Sequence, residues 1–134
     1  MPAGSPGGDR GPFTPTELAR LERAVHNAEE MSGLTFSLYV GASEADPRGY
    51  ARRLHSALTD PERSVLVMCD PGFHALEIVC GSEASMKLTA AKCGLAAAAM
   101  QSSFLADDIV GGLAAGIQQL GDAARAPRTL HLRA

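Results

Sequence analysis

Residues 64–81 read SVLVMCDPGFHALEIVCG, and this stretch decides the fold. Two apolar runs, SVLVMC and ALEIVC, flank the spacer DPGFH. Each run has strand length and is rich in Val, Ile and Leu, while Asp70, Pro71 and Gly72 are strong turn formers. The pattern predicts an antiparallel hairpin. Its first strand, residues 65–69, is apolar without a break, as expected of a strand buried on both faces. Residues 75–80 return beside it.

Upstream, residues 34–40 alternate. Leu34, Phe36, Leu38 and Val40 face one way, and Thr35, Ser37 and Tyr39 the other, which is a half-buried strand. Asp46-Pro47 then reads as an N-cap with proline at the first helical position, and Tyr50, Leu54 and Leu58 form the apolar stripe of a helix that ends before Pro61. Strand, helix and strand make a βαβ unit, so the first two strands are expected to be parallel with a right-handed crossover. Residues alone therefore predict an α/β class with a small mixed sheet: a parallel βαβ unit plus one antiparallel hairpin strand.

Residues 1–12 are rich in Gly and Pro and are expected to form a disordered arm. A single domain is expected over 13–124. Its first helix is announced by Thr14 as N-cap, Pro15 at the first helical position and Glu17 completing a capping box, and it stops at Gly33. A third helix is expected over 85–100, a helix-breaking loop at Ser102-Ser103-Phe104, and a fourth helix over 107–124. The fourth carries Gly111, Gly112 and Gly116, each costing about 1 kcal/mol in a helix interior. Close helix packing is one explanation and a ligand-approach surface the other. Residues 125–134 form a tail or a short edge strand.

Composition excludes several classes. A formal net charge of −3 argues against nucleic-acid binding, which needs a basic stripe. The longest uncharged run, 93–106, is shorter than the ~20 residues of a membrane-spanning helix, so no membrane span is expected. The opening MPAGSPGGDRGP lacks the apolar centre of a secretory leader. Three cysteines, Cys69, Cys80 and Cys93, make a poor disulfide framework. Cys69 and Cys80 fall at opposite ends of the hairpin, too far apart to bridge, and buried reduced thiols are expected. These features together point to the cytoplasm.

Ligands of open α/β sheets bind outside the carboxyl ends of the strands. Asp70 ends the second strand, Glu44 and Asp46 follow the first, and Asp107 and Asp108 open the fourth helix. Asp46, Asp70 and Asp108 are thus candidate ligands for a hard divalent cation, Ca²⁺ or Mg²⁺. Each is equally well placed as a cap or turn former. His26 with Glu29 or Glu30 has helical metal-pair spacing, and His74 stands beside Asp70 as a candidate general acid. No phosphate-binding GxxxxGK[ST] loop, GxGxxG turn or GxSxG elbow is present, and Cys69 lacks the arginine of a cysteine-phosphatase loop.

The order of elements resembles the TPM domain superfamily, which includes thylakoid-lumen acid-phosphatase-like proteins, and most of all its small actinobacterial members. The resemblance is carried by Thr14-Pro15-Thr16-Glu17-Leu18, Gly33-Leu34-Thr35-Phe36, Tyr50-Ala51, the hairpin ending in Gly81, and Phe104, Asp108, Gly111 and Gly112. It implies an α/β/α sandwich and, for some relatives, divalent-cation binding with a proposed phosphatase activity. Two functions follow as expectations. One is a non-catalytic module that binds a protein partner. The alternative is a divalent-cation-dependent phosphatase with a carboxylate-lined crevice at the strand ends.

Overall fold

Thr14 opens the first helix with the capping box expected of it. Its hydroxyl accepts from the Glu17 amide at 3.1 Å, and the Glu17 carboxylate accepts from the Thr14 amide at 2.9 Å. The computed structural model describes residues 13–125; the predicted arm at 1–12 and nearly all of the predicted tail lie outside them. Helix α1, Pro15–Ser32, ends where Gly33 takes φ 76°, a left-handed conformation that glycine adopts without steric cost. Strand β1, Thr35–Val40, follows. Asp46 caps helix α2, Pro47–Ser56, by accepting from the Gly49 amide at 3.1 Å. Strand β2, Ser64–Asp70, turns through a 3-10 segment at Pro71–Phe73 into strand β3, Ala75–Cys80.

The sheet order is β1-β2-β3, with β1 parallel to β2 and β3 antiparallel to it. Every residue of β2 is buried, as its unbroken apolar run requires. Its alternate side chains serve two layers. Val65, Val67 and Cys69 join Phe36, Leu38, Leu76 and Ile78 in the main core under three long helices. Leu66 and Met68 join Val79 and Tyr39 against Ala51, Tyr50 and Leu54 of α2. Helices therefore cover both faces of the sheet, giving three α/β/α layers.

The second half of the chain departs from the sequence reading. The helix expected over 85–100 is two helices, α3 at Ala84–Lys87 and α4 at Ala90–Leu105. Leu88 is buried in extended backbone, and the Thr89 hydroxyl accepts from the Lys92 amide at 3.3 Å, which starts a new helix. Ser102-Ser103-Phe104 does not break α4. Serine is only mildly unfavourable in a helix, and Phe104 packs on the core. The break falls at Asp107, whose φ is 67°, and Asp108 then caps helix α5, Ile109–Ala123, by accepting from the Gly111 amide at 2.9 Å.

Helix α5 lies between α1 and α4, and its glycines set the spacing. A Cβ on Gly112 would stand 2.7 Å from the Ser103 Cβ, one on Gly116 2.3 Å from the Met100 Cε, and one on Gly121 2.6 Å from the Ala28 Cα. Those separations are sub-van der Waals, so the glycines are there for close helix packing on both flanks. The glycine ligand surface considered from sequence is filled by protein. At the sheet edges, Glu29 accepts a hydrogen bond from the Phe36 amide of β1 at 3.0 Å, and Arg48 donates to the Ile78 carbonyl of β3 at 3.0 Å.

Candidate functional site

Asp70 sits where the hairpin signal placed it, at the carboxyl end of the central strand, and is only 4% exposed. A buried carboxylate needs donors for its lone pairs. One oxygen accepts from the Ser43 amide and hydroxyl, both at 2.7 Å. The other accepts from the amides of Gly72 at 3.0 Å and Phe73 at 3.4 Å. Burial pushes its acidity weaker, but the bonds from the Ser43 hydroxyl and amide, and from Phe73 and Gly72, outweigh it. The carboxyl titrates below its ordinary range. Asp70 thus ties the loop after β1 to the turn after β2.

The other candidate carboxylates are likewise engaged. Asp46 and Asp108 cap α2 and α5, and Glu44 pairs with Arg53. The Arg53 guanidinium also lies 5.6 Å over the Tyr50 ring. Tyr50 meets Tyr39 edge-on at 5.9 Å, and the Tyr39 hydroxyl donates to the Ala42 carbonyl at 2.7 Å. The hydrogen bond with Tyr50, followed by burial and the charges of Tyr50 and Asp70, pushes the Tyr39 hydroxyl up to about 12. The chain's own tyrosines and loop therefore occupy the carboxyl ends of the strands. Among the described residues, no three His, Cys, Asp or Glu side chains gather to hold a metal ion, so Asp46, Asp70 and Asp108 are not brought together.

The histidines divide similarly. His26 pairs with Glu30 at 3.3 Å on an exposed face, while Glu29 turns to the Phe36 amide. His74 is exposed and closes the hairpin turn at φ 52°. His55 is buried, its ring nitrogen 3.0 Å from the Ser64 carbonyl.

Two features escaped the sequence reading. The first is the outer face of α4. Ala91, Gly94, Leu95, Ala98, Ser102 and Leu105 recur at helical spacing and are all exposed, with Leu95 at 67% and Leu105 at 91%. The sole charge on this helix is Lys92 in its first turn. Exposed Met86 precedes it on α3. The signal was present, since α4 is rich in Ala and carries a single charge, but the expected break at Ser102 hid the length of the stripe. The second is a thiol pair. Cys69 is buried and pushed up to about 11 by burial and by the Asp70 charge. Cys80 and Cys93 are only half-buried, against the expectation for all three, and their sulfurs stand 3.8 Å apart. An open groove of about 410 Å³ also runs between α1 and α5, floored by Ala24 and Ala114 and rimmed by Arg20, Arg23, Asn27 and Gln118. It lies away from the strand ends.

The fold is a small three-layer α/β/α domain, and solved structures share it. The BA42 protein from the psychrophilic bacterium Bizionia argentinensis superposes with a TM-score of 0.74 at 19% identity, over 86% of this chain and 83% of that one. The N-terminal domain of the cg2496 protein from Corynebacterium glutamicum gives a TM-score of 0.69 at 14% identity, over 93% of this chain and 84% of that one. By sequence, the chain belongs to the family described as a domain of unknown function, DUF5130, whose model matches residues 4–121. Two Mycobacterium tuberculosis relatives, "Uncharacterized protein MT2543" and "Uncharacterized protein Rv2468c", are each 28% identical over 109 residues, or 81% of this chain. The match spans 65% of the length of each of those relatives. Among the described residues, no helix is long and apolar enough to cross a membrane.

Proposed function

We propose that this chain is a non-catalytic interaction module that presents the outer face of α4 to a protein partner. The carrying observation is the uncharged stripe from Ala91 to Leu105, exposed along the full length of a helix whose sole charge is Lys92. A helix of that composition normally lies buried, and contiguous exposed apolar surface on a soluble domain marks interaction sites. Leu95 and Leu105 are the anchors, and Gly94 and Ala98 between them let a partner approach the backbone closely. Three free thiols support a reducing location such as the cytoplasm.

The phosphatase alternative, which rests on the resemblance to TPM domains, draws less support. A cation at Asp46, Asp70 and Asp108 would displace hydrogen bonds that cap two helices and tie two loops together. The test of the module is a Leu95→Asp, Leu105→Asp double variant. Both positions are exposed, so the fold is retained, with only a modest loss of helix propensity. Partners captured by the wild type, or its self-association in sedimentation velocity, are lost in the variant. Identical capture profiles and identical sedimentation for the two proteins would overturn the proposal.

A further inference from the structure

We propose that Cys80 and Cys93 form a reversible redox dithiol that closes into an intramolecular disulfide joining the end of β3 to the first turn of α4. The geometry carries this. The two residues are thirteen positions apart in sequence, yet their sulfurs lie 3.8 Å from each other, already in sulfur hydrogen-bond contact. A disulfide bond is about 2.05 Å long, so closure needs an approach of under ~2 Å. The β3 side is fixed. Gly81, next to Cys80, donates to the Ser64 carbonyl at 3.0 Å, and a Cβ on it would lie 1.8 Å from the Pro61 carbonyl oxygen. The α4 side is the first turn of a helix that restarts at Thr89, just after the extended residue Leu88. Both cysteines are half-buried, so a small oxidant reaches them, whereas Cys69 is enclosed in the core.

The roles of the two sulfurs are unequal. The hydrogen bond from Cys80 lowers the Cys93 thiol to about 7 against the opposing effect of burial, with the Arg48 charge assisting. Cys80 is pushed up by that same bond and by burial, and keeps its proton. Cys93 is taken as the attacking sulfur in the proposed exchange. With a disulfide oxidant such as glutathione disulfide, the Cys93 thiolate attacks one oxidant sulfur, forms a mixed disulfide and expels one thiolate. Cys80 then gives up its proton and attacks the Cys93 sulfur, forming the Cys80–Cys93 bond and expelling the second thiolate. Two protein thiols are oxidised, one oxidant disulfide is reduced, and the two expelled thiolates equilibrate with the two protons released.

The test uses the full chain equilibrated with graded ratios of reduced and oxidised glutathione, acid-quenched, alkylated after denaturation and mapped by mass spectrometry. The expected result is a fall from three alkylatable cysteines to one, Cys69, with an 80–93 cross-link in a monomer. Excess dithiothreitol restores all three. In Cys80→Ser, Cys93 stops at the mixed disulfide with glutathione, and Cys69 alone remains alkylatable. In wild-type protein, iodoacetamide modifies Cys93 at least tenfold faster than Cys69 under native conditions, a readout that does not depend on any variant folding. A persistent mixed disulfide in the wild type, a cross-link between chains, a bond involving Cys69, or three thiols unchanged in fully oxidised glutathione would each overturn the proposal.

Discussion

Replacing one glycine by alanine is expected to have opposite effects in neighbouring helices. At Gly94 of α4 an added Cβ meets nothing within 4 Å. Gly94→Ala therefore gains helix propensity without crowding, about 1 kcal/mol. At Gly121 of α5 the same methyl would stand 2.6 Å from the Ala28 Cα and 2.7 Å from its Cβ. Ordinary contact begins near 3.4 Å, so α1 and α5 must separate by close to 1 Å. The obstacle is backbone, which has no rotamer to change. Separation also loosens Leu21 and Ala24 against Ile117 and Leu120 in the main core. Overpacking of this kind costs about 1–3 kcal/mol, and a rigid obstacle puts Gly121 near the upper end. After the propensity gain, the net loss is about 2 kcal/mol. For a domain of this size, about 4 °C of melting temperature corresponds to each kcal/mol. Gly94→Ala should melt about 4 °C above wild type and Gly121→Ala about 8 °C below it. Gly116→Ala, which meets the flexible Met100 side chain, should fall between wild type and Gly121→Ala. Differential scanning calorimetry of the three variants decides. A Gly121→Ala protein melting at or above wild type would refute the close-packing account of α5.

Asp70→Asn leaves one acceptor oxygen for four donors, so Ser43 or the Gly72–Phe73 pair loses its partner and stability falls by about 1–3 kcal/mol. Because the folded carboxyl titrates low, its contribution is full above the unfolded value near pH 4 and fades as pH drops through the folded value. Urea titrations of wild type and Asp70→Asn should therefore converge on acidification below about pH 4, and a gap independent of pH would contradict the ionised role. Thr14→Ala removes the capping box of α1 and should cost about 1 kcal/mol by the same titration, an unchanged midpoint counting against the cap. Millimolar Ca²⁺ or Mg²⁺ should leave the melting temperature where it is, since the carboxylates are engaged with backbone amides; a rise of several degrees would revive the cation site.

Where a local residue pattern had one physical outcome, the sequence was legible. Thr14-Pro15-x-Glu17, Asp46-Pro47 and the DPG turn each name a backbone geometry through their own side chains, and each is found there. The unbroken apolar run of β2 likewise announced a central strand. The Ala-rich segment was harder. Leu88-Thr89 and Ser102-Ser103 carry similar propensities, and only the burial of Leu88 and the packing of Phe104 decide which one interrupts the helix. The candidate site was readable as a list of carboxylates but not as an arrangement. An aspartate that caps a helix and one that binds a cation are the same letter, and the distinction lies in where the backbone amides point. The Cys80–Cys93 contact had no sequence signal, because it depends on α4 restarting at Thr89 and bringing its first turn over the end of β3.

The hydrogen bonds at the two sides of the sheet also limit how this domain can assemble. A three-stranded sheet has two open flanks, each a template onto which a foreign strand can zip. Here a Glu29 oxygen already occupies an outward amide of β1, and the Arg48 guanidinium covers an outward carbonyl of β3. An incoming strand would have to evict a carboxylate at one flank and a guanidinium at the other before its first rung could form. Strand exchange and fibril-like growth are thereby disfavoured at both flanks.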